Sequence, residues 1–178
     1  MTKLKANRKN SIKLLIKVLL GMIMLTLLWS ITIGVPIRRE LTALEIIFTN
    51  PDHLNVRTIV IRGWYRIGIF GQEDRFRGKI KILEYTETHE SMYPLQFFTN
   101  PIGPRAGMLL YSQEDKDLPL PFAMIYSRSM FRRPLLINIR NSDGALDNFD
   151  SPMIISGVSS HENAVQTFLR FFENSADK

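Results

Sequence analysis

Residues 56–82 read VRTIVIRGWYRIGIFGQEDRFRGKIKI. In the first half, Ile59, Ile61, Tyr65, Ile67 and Ile69 share one parity, and Arg62, Trp64 and Arg66 share the other. A period of two with β-branched and aromatic residues predicts a strand that turns one face to a core. Gly63 and Gly68 interrupt the run and mark bends or bulges. Gly71-Gln72-Glu73-Asp74 reads as a turn. Phe76, Gly78, Ile80 and Ile82 then alternate with Arg77, Lys79 and Lys81, the pattern of a half-buried strand with a basic solvent face. The two runs are expected to pair as an antiparallel hairpin.

Working outward towards the C-terminus, short apolar runs at 95–98, 108–111, 122–126, 134–139 and 153–156 read as further strands. Stretches rich in Pro, Gly, Asp, Asn and Ser separate them, and 115–121 and 141–151 are expected to be exposed loops. The period then changes. Ser159-x-x-Glu162 is a capping box, and Ala164, Val165, Phe168, Leu169 and Phe172 form one helical stripe that should pack on the sheet. The last residues, 175–178, should fray. The fold class is therefore α+β: a mostly antiparallel β domain, sandwich or partial barrel, with a C-terminal amphipathic helix.

Upstream, Leu41, Leu44, Ile47 and Phe48 recur at helical spacing, so a short amphipathic helix is expected before the Asn50-Pro51 turn. Residues 18–37, VLLGMIMLTLLWSITIGVPI, carry no charge. A helix of that length spans about 30 Å, the hydrocarbon thickness of a bilayer, and only a helix satisfies its own backbone in lipid. A transmembrane helix is expected here. A cleaved signal peptide is the rival, but its apolar region is shorter and ends in a small-x-small site that this run lacks. The expected organisation is a basic tail at 1–17, the transmembrane helix at 18–37, a juxtamembrane segment at 38–51 and a β-rich domain at 52–178.

The 178 residues hold 23 Lys and Arg against 17 Asp and Glu. Six of the basic residues, Lys3, Lys5, Arg8, Lys9, Lys13 and Lys17, precede the apolar run without an acid among them, so the rest of the chain is formally neutral. That speaks against a nucleic-acid partner. These six form the topology flank. Against Arg38 and Arg39 on the far side, they place the N-terminus in the cytoplasm and the β domain outside it. The absence of Cys excludes a disulfide scaffold, a thiolate metal site and a cysteine nucleophile. His161-Glu162 and His89-Glu90 lack the second His of a zinc protease motif, and Gly71…Gly78-Lys79 has the wrong spacing for a phosphate loop. Asp143, Asp147 and Asp150 share a loop without the alternation of a calcium site. No catalytic, cofactor or metal residue is assigned, and no cofactor is implied.

Basic and aromatic residues interleave at Arg75-Phe76-Arg77 and at Phe131-Arg132-Arg133, a composition suited to phosphate, anionic lipid or wall polyanions. For 75–81 the solvated strand face is the simpler account. Trp64, on the polar parity between Arg62 and Arg66, makes these three residues the candidate contact surface. The expected function is a membrane-tethered extracytoplasmic binding module, partnered by the bilayer and by an envelope protein or wall component. The alternatives are an envelope hydrolase with dispersed catalytic residues, or a regulatory subunit of a membrane complex. The layout of an N-terminal anchor, a strand pair ending in Phe76-x-Gly78-x-Ile80-x-Ile82, short strands and a capped helix resembles small single-pass envelope proteins of low-GC Gram-positive bacteria. That resemblance implies a domain held at the outer face of the cell membrane and brings no site residue with it.

Overall fold

The computed structural model describes residues 2–32, 34–68, 72–98, 104–113, 116–140 and 150–173. In chain order it contains α1 (Thr2–Thr32), β1 (Val35–Ile47), β2 (Asn50–Arg66), β3 (Asp74–Ile82), β4 (Leu95–Phe97), β5 (Arg105–Gln113), β6 (Lys116–Arg128), β7 (Arg132–Ile139), β8 (Met153–Ser156) and α2 (His161–Glu173). Among the described residues the eight strands form one antiparallel sheet in the order β4-β3-β2-β1-β8-β7-β6-β5. The sheet curls until its two edges meet. Phe98 and Ala106 exchange backbone hydrogen bonds of 2.9 and 3.1 Å, and the Tyr93 amide donates to the Leu110 carbonyl at 2.9 Å. The result is a nearly closed barrel, which removes most of the exposed edge that an open sheet would offer to other chains.

Strand alternation fills the barrel. From β2 come Ile59, Ile61 and Tyr65, from β3 Phe76, Ile80 and Ile82, and from the remaining strands Leu95, Leu109, Ile125, Leu135, Ile137 and Ile154, all essentially inaccessible. The expected hairpin is present, with Ile59 opposite Ile82 and Tyr65 opposite Phe76. Gly63 lies opposite Gly78, where the strands come so close that a Cβ on Gly63 would sit 2.3 Å from the Arg77 carbonyl oxygen. The missing side chain leaves room for the Phe76 ring, which would stand 2.8 Å from that Cβ. Of the parity set read from sequence, Ile67 is exposed and Ile69 lies outside the described residues.

The short turn Ser129–Phe131 between β6 and β7 folds inward, so that Phe131 plugs the barrel among Tyr65, Phe76 and Phe97, with ring centroids 4.9–5.5 Å away. Met130 and Phe131 take φ of 57° and 53°, a left-handed conformation costing about 1 kcal/mol or more for each side-chain-bearing residue. Arg39 Nη1 donates to the Phe131 carbonyl at 3.0 Å and holds the turn from the opposite strand.

A second apolar layer lies outside the barrel. Leu44, Ile46, Leu136, Met153 and Ile155 project from the outer face of β1, β7 and β8 and are covered by Ala164, Phe168, Phe171 and Phe172 of α2. Both faces of β1 are covered from Ala43 to Ile46, and there buried residues follow one another without the alternation kept by its first half. This explains why the amphipathic helix expected at 41–48 is instead strand: Leu41 faces the barrel interior and Leu44 the helix layer, and their spacing only imitates a helical stripe.

Three further expectations need correction. Residues 116–121 belong to β6 rather than to a loop, with Pro121 accommodated where a bulge shifts the β5–β6 register. The cap of α2 is Ser160, whose Oγ accepts from the Asn163 amide at 3.2 Å, and not Ser159. Phe171 is the buried aromatic of α2, whereas Leu169 is exposed. Of the loop expected at 141–151, residues 141–149 lie outside the described residues, as does the end expected to fray, 175–178.

The uncharged run 18–37 does not stay in one conformation. Helix α1 ends at Thr32, and Val35, Pro36 and Ile37 open β1 opposite Tyr65, Trp64 and Gly63. Gly34 makes the turn with φ of 97°, and a Cβ there would lie 2.8 Å from the Tyr65 carbonyl oxygen, so only glycine fits. Among the described residues no helix is long and apolar enough to cross a membrane.

Candidate functional site

Two groups of polar side chains stand out. The first lies inside the barrel, at the end away from α1. Glu45, on the inward face of β1, is 2 % exposed. The β1–β2 register sets it opposite Asn55, with His53 and Arg57 two residues to either side on the same face. Arg57 donates to both carboxylate oxygens, Nε to Oε2 at 2.8 Å and Nη2 to Oε1 at 3.1 Å. The Tyr85 hydroxyl donates to Oε2 at 2.7 Å, and His53 Nε2 lies 2.8 Å from Oε1. Burial alone would push the Glu45 carboxyl up. Hydrogen bonds from Arg57, then Tyr85 and His53, together with the Arg57 charge, outweigh it and hold the pKa at about 2. Burial, followed by the bond to Glu45, pushes the Tyr85 phenol up. The carboxylate therefore stays ionised with its lone pairs taken. That suits a structural ion pair better than a general base, which needs a pKa near the working pH and a free lone pair.

Near the α1 end, Asp74 plays a similar part. It accepts from the Tyr65 hydroxyl at 2.5 Å and the Gly68 amide at 2.7 Å, and pairs with Arg105. Asp74, expected in a turn, is the buried start of β3.

The second group is on the outer face of β1, β2 and β3. The register places Arg38 opposite Arg62, Arg62 opposite Lys79, Trp64 opposite Arg77, and Arg66 opposite Arg75. Arg38, Arg62, Arg66, Arg75 and Arg77 are exposed, and Trp64 is 46 % exposed between them. Among the described residues no carboxylate pairs with any of these five arginines. Lys79 donates to the His89 carbonyl. The nearby acids are Glu40, which lies opposite Val60, and Glu73, which takes a hydrogen bond from Gln96. Like charges set directly opposite on a sheet face destabilise it, so this arrangement costs stability in the free protein.

The candidate contact residues Trp64, Arg62 and Arg66 thus share one exposed face, and Arg38, Arg75 and Arg77 from neighbouring strands join them. The interleaved aromatics do not: Phe76 and Phe131 are fully buried. Of the topology flank, Lys13 and Lys17 are exposed on α1; Lys3, Lys5, Arg8 and Lys9 lie on its first turns, where side chains are not described. The three histidines part company, His53 to Glu45, His89 to an exposed turn and His161 to within 3.3 Å of the Ile47 carbonyl. Asp150 takes a 2.8 Å hydrogen bond from Thr49, whereas Asp143 and Asp147 lie outside the described residues. Among the described residues no set of His, Asp and Glu is placed to hold a metal ion. The Glu45 group escaped sequence reading because its members come from positions 45, 53, 55, 57 and 85, and only the strand register joins them.

No protein-family model, curated protein or solved structure matches the chain.

Proposed function

We propose that the chain is a single-pass membrane protein whose barrel, held outside the cytoplasm, works as a tethered binding module. One observation carries this reading. Every described side chain of α1 from Ile12 to Leu28 is exposed, around the full circumference. Leu14, Leu15 and Ile16, which point 100° apart, are 65, 70 and 49 % exposed. An apolar helical stretch left uncovered on every side is costly in water and comfortable in lipid. With Val35–Ile37 taken by β1, the apolar part of α1 begins earlier, at Leu14–Ile16, if Lys17 extends its amine back to the headgroups. The basic flank before it favours a cytoplasmic N-terminus. Tethering raises the local concentration of the barrel at the membrane, so weak contacts on its surface suffice for function.

The absence of native Cys allows a direct test. The full-length protein carrying Lys9→Cys or Glu87→Cys is treated in intact cells with a membrane-impermeant maleimide. Labelling of the Glu87 position alone, with labelling of the Lys9 position only after lysis and retention in membranes washed at alkaline pH, is the expected result. The reverse labelling, or release into the soluble fraction, overturns the reading.

A further inference from the structure

The basic outer face lies close to where the chain enters the barrel. Only 33 and 34 separate the end of α1 from β1, and an extended link of that length reaches about 10 Å at most. Gly34 lies against the Tyr65–Arg66 backbone, and Pro36 is opposite Trp64. Arg66 and Trp64 are therefore at the helix-proximal end of the sheet face, with Arg75 and Arg77 beside them on β3.

We infer that this face, formed by Arg38, Arg62, Trp64, Arg66, Arg75 and Arg77, docks on the anionic phosphate headgroups of the bilayer that holds α1. The inference rests on the tethered reading and names the partner of that module. Three features support it. Among the described residues these arginines have no carboxylate partner, so their charge is available to an external anion. Guanidinium forks match phosphate oxygens in pairs, which lysine does less well. Trp64, 46 % exposed, supplies an amphipathic ring of the kind favoured at membrane interfaces. Bound phosphates would also relieve the repulsion of Arg38 against Arg62 and of Arg66 against Arg75. A sheet face that costs stability alone gains it on an anionic surface.

The test uses the full-length protein in nanodiscs of phosphatidylcholine, with or without phosphatidylglycerol. Trp29→Phe leaves Trp64 as the single tryptophan, and lipids brominated near the headgroup report its contact with the bilayer by quenching. Quenching is expected only in discs containing phosphatidylglycerol, and high salt should abolish it. Each of Arg62→Gln, Arg66→Gln and Arg77→Gln should lower the docked-to-free ratio about fivefold, the usual effect of one basic residue near an anionic surface. Unchanged circular dichroism of the variants excludes misfolding as the cause. Trp64 that stays unquenched in every disc overturns the inference while leaving the tether intact. So does a response to soluble polyphosphate but not to lipid, which would make a free polyanion the partner. Failure of the protein to assemble into discs at all overturns both this inference and the tethered reading.

Discussion

Glu45 shows how one buried charge can be stabilising. Its folded pKa of about 2 lies below the ordinary glutamate value of 4.5. For a carboxylate depressed on folding, the unfolded chain binds protons first as pH falls. The stabilisation is therefore complete above about pH 4.5 and disappears as pH falls through 2, a contribution of about 3 kcal/mol at neutral pH. Glu45→Gln should remove that acid-dependent loss between pH 4.5 and 2. It should also cost about 3–5 kcal/mol at pH 7, because the Arg57 guanidinium loses its carboxylate. Urea unfolding of the wild type and variant across this range measures both. A variant that keeps the same slope against pH would show that other carboxylates dominate acid unfolding.

At the scale of elements, α2 is held by its buried stripe and not by its amphipathic pattern alone. Phe171 and Ala164 are buried against the outer face of the sheet, and Phe48 packs at a tilt against Phe168 with centroids 4.8 Å apart. Phe171→Ala should cost about 3–5 kcal/mol, while Leu169→Ala should stay within about 0.5 kcal/mol. Ser160→Ala should cost about 1 kcal/mol through the lost cap, and Ser159→Ala much less. Chemical denaturation of the four variants ranks them; equal losses at positions 159 and 160 would contradict the assigned cap. The same two-sided burial accounts for β1. It pairs along its length with β2 and at Ala43–Ile46 with β8, and that second part lies under the helix layer on one side and over the core on the other. A helical reading of residues 41–48 is the natural error where a strand is buried on both faces.

For the whole molecule, the weak place is the seam where β4 meets β5. Strand β4 has three residues, and the seam is joined by isolated bridges and a few backbone hydrogen bonds. The β1–β2 pair, by contrast, runs in register from Val35–Tyr65 to Ile46–Leu54. Local opening free energy follows such differences in packing and pairing. Amide hydrogen exchange should therefore be fastest at Phe98, Ala106 and Tyr93 and slowest in the centre of β1 and β2. Equal protection in both places would mean that the barrel opens only by global unfolding.

The hairpin of β2 and β3 was legible in residues 56–82 because each of those strands has one polar face, so its period of two survives in the sequence. The basic flank and the uncharged run were legible for a similar reason: charge and hydropathy are properties of local sequence. Trp64, Arg62 and Arg66 could be singled out by parity alone, but their company of Arg38, Arg75 and Arg77 depends on which strands neighbour β2. The strand nature of β1, the closure of the sheet, the inward turn at Phe131 and the Glu45 ion pair were set by tertiary structure. Each depends on contacts between residues distant in the chain, and hydrophobic burial on two faces erases the alternation that would have announced them.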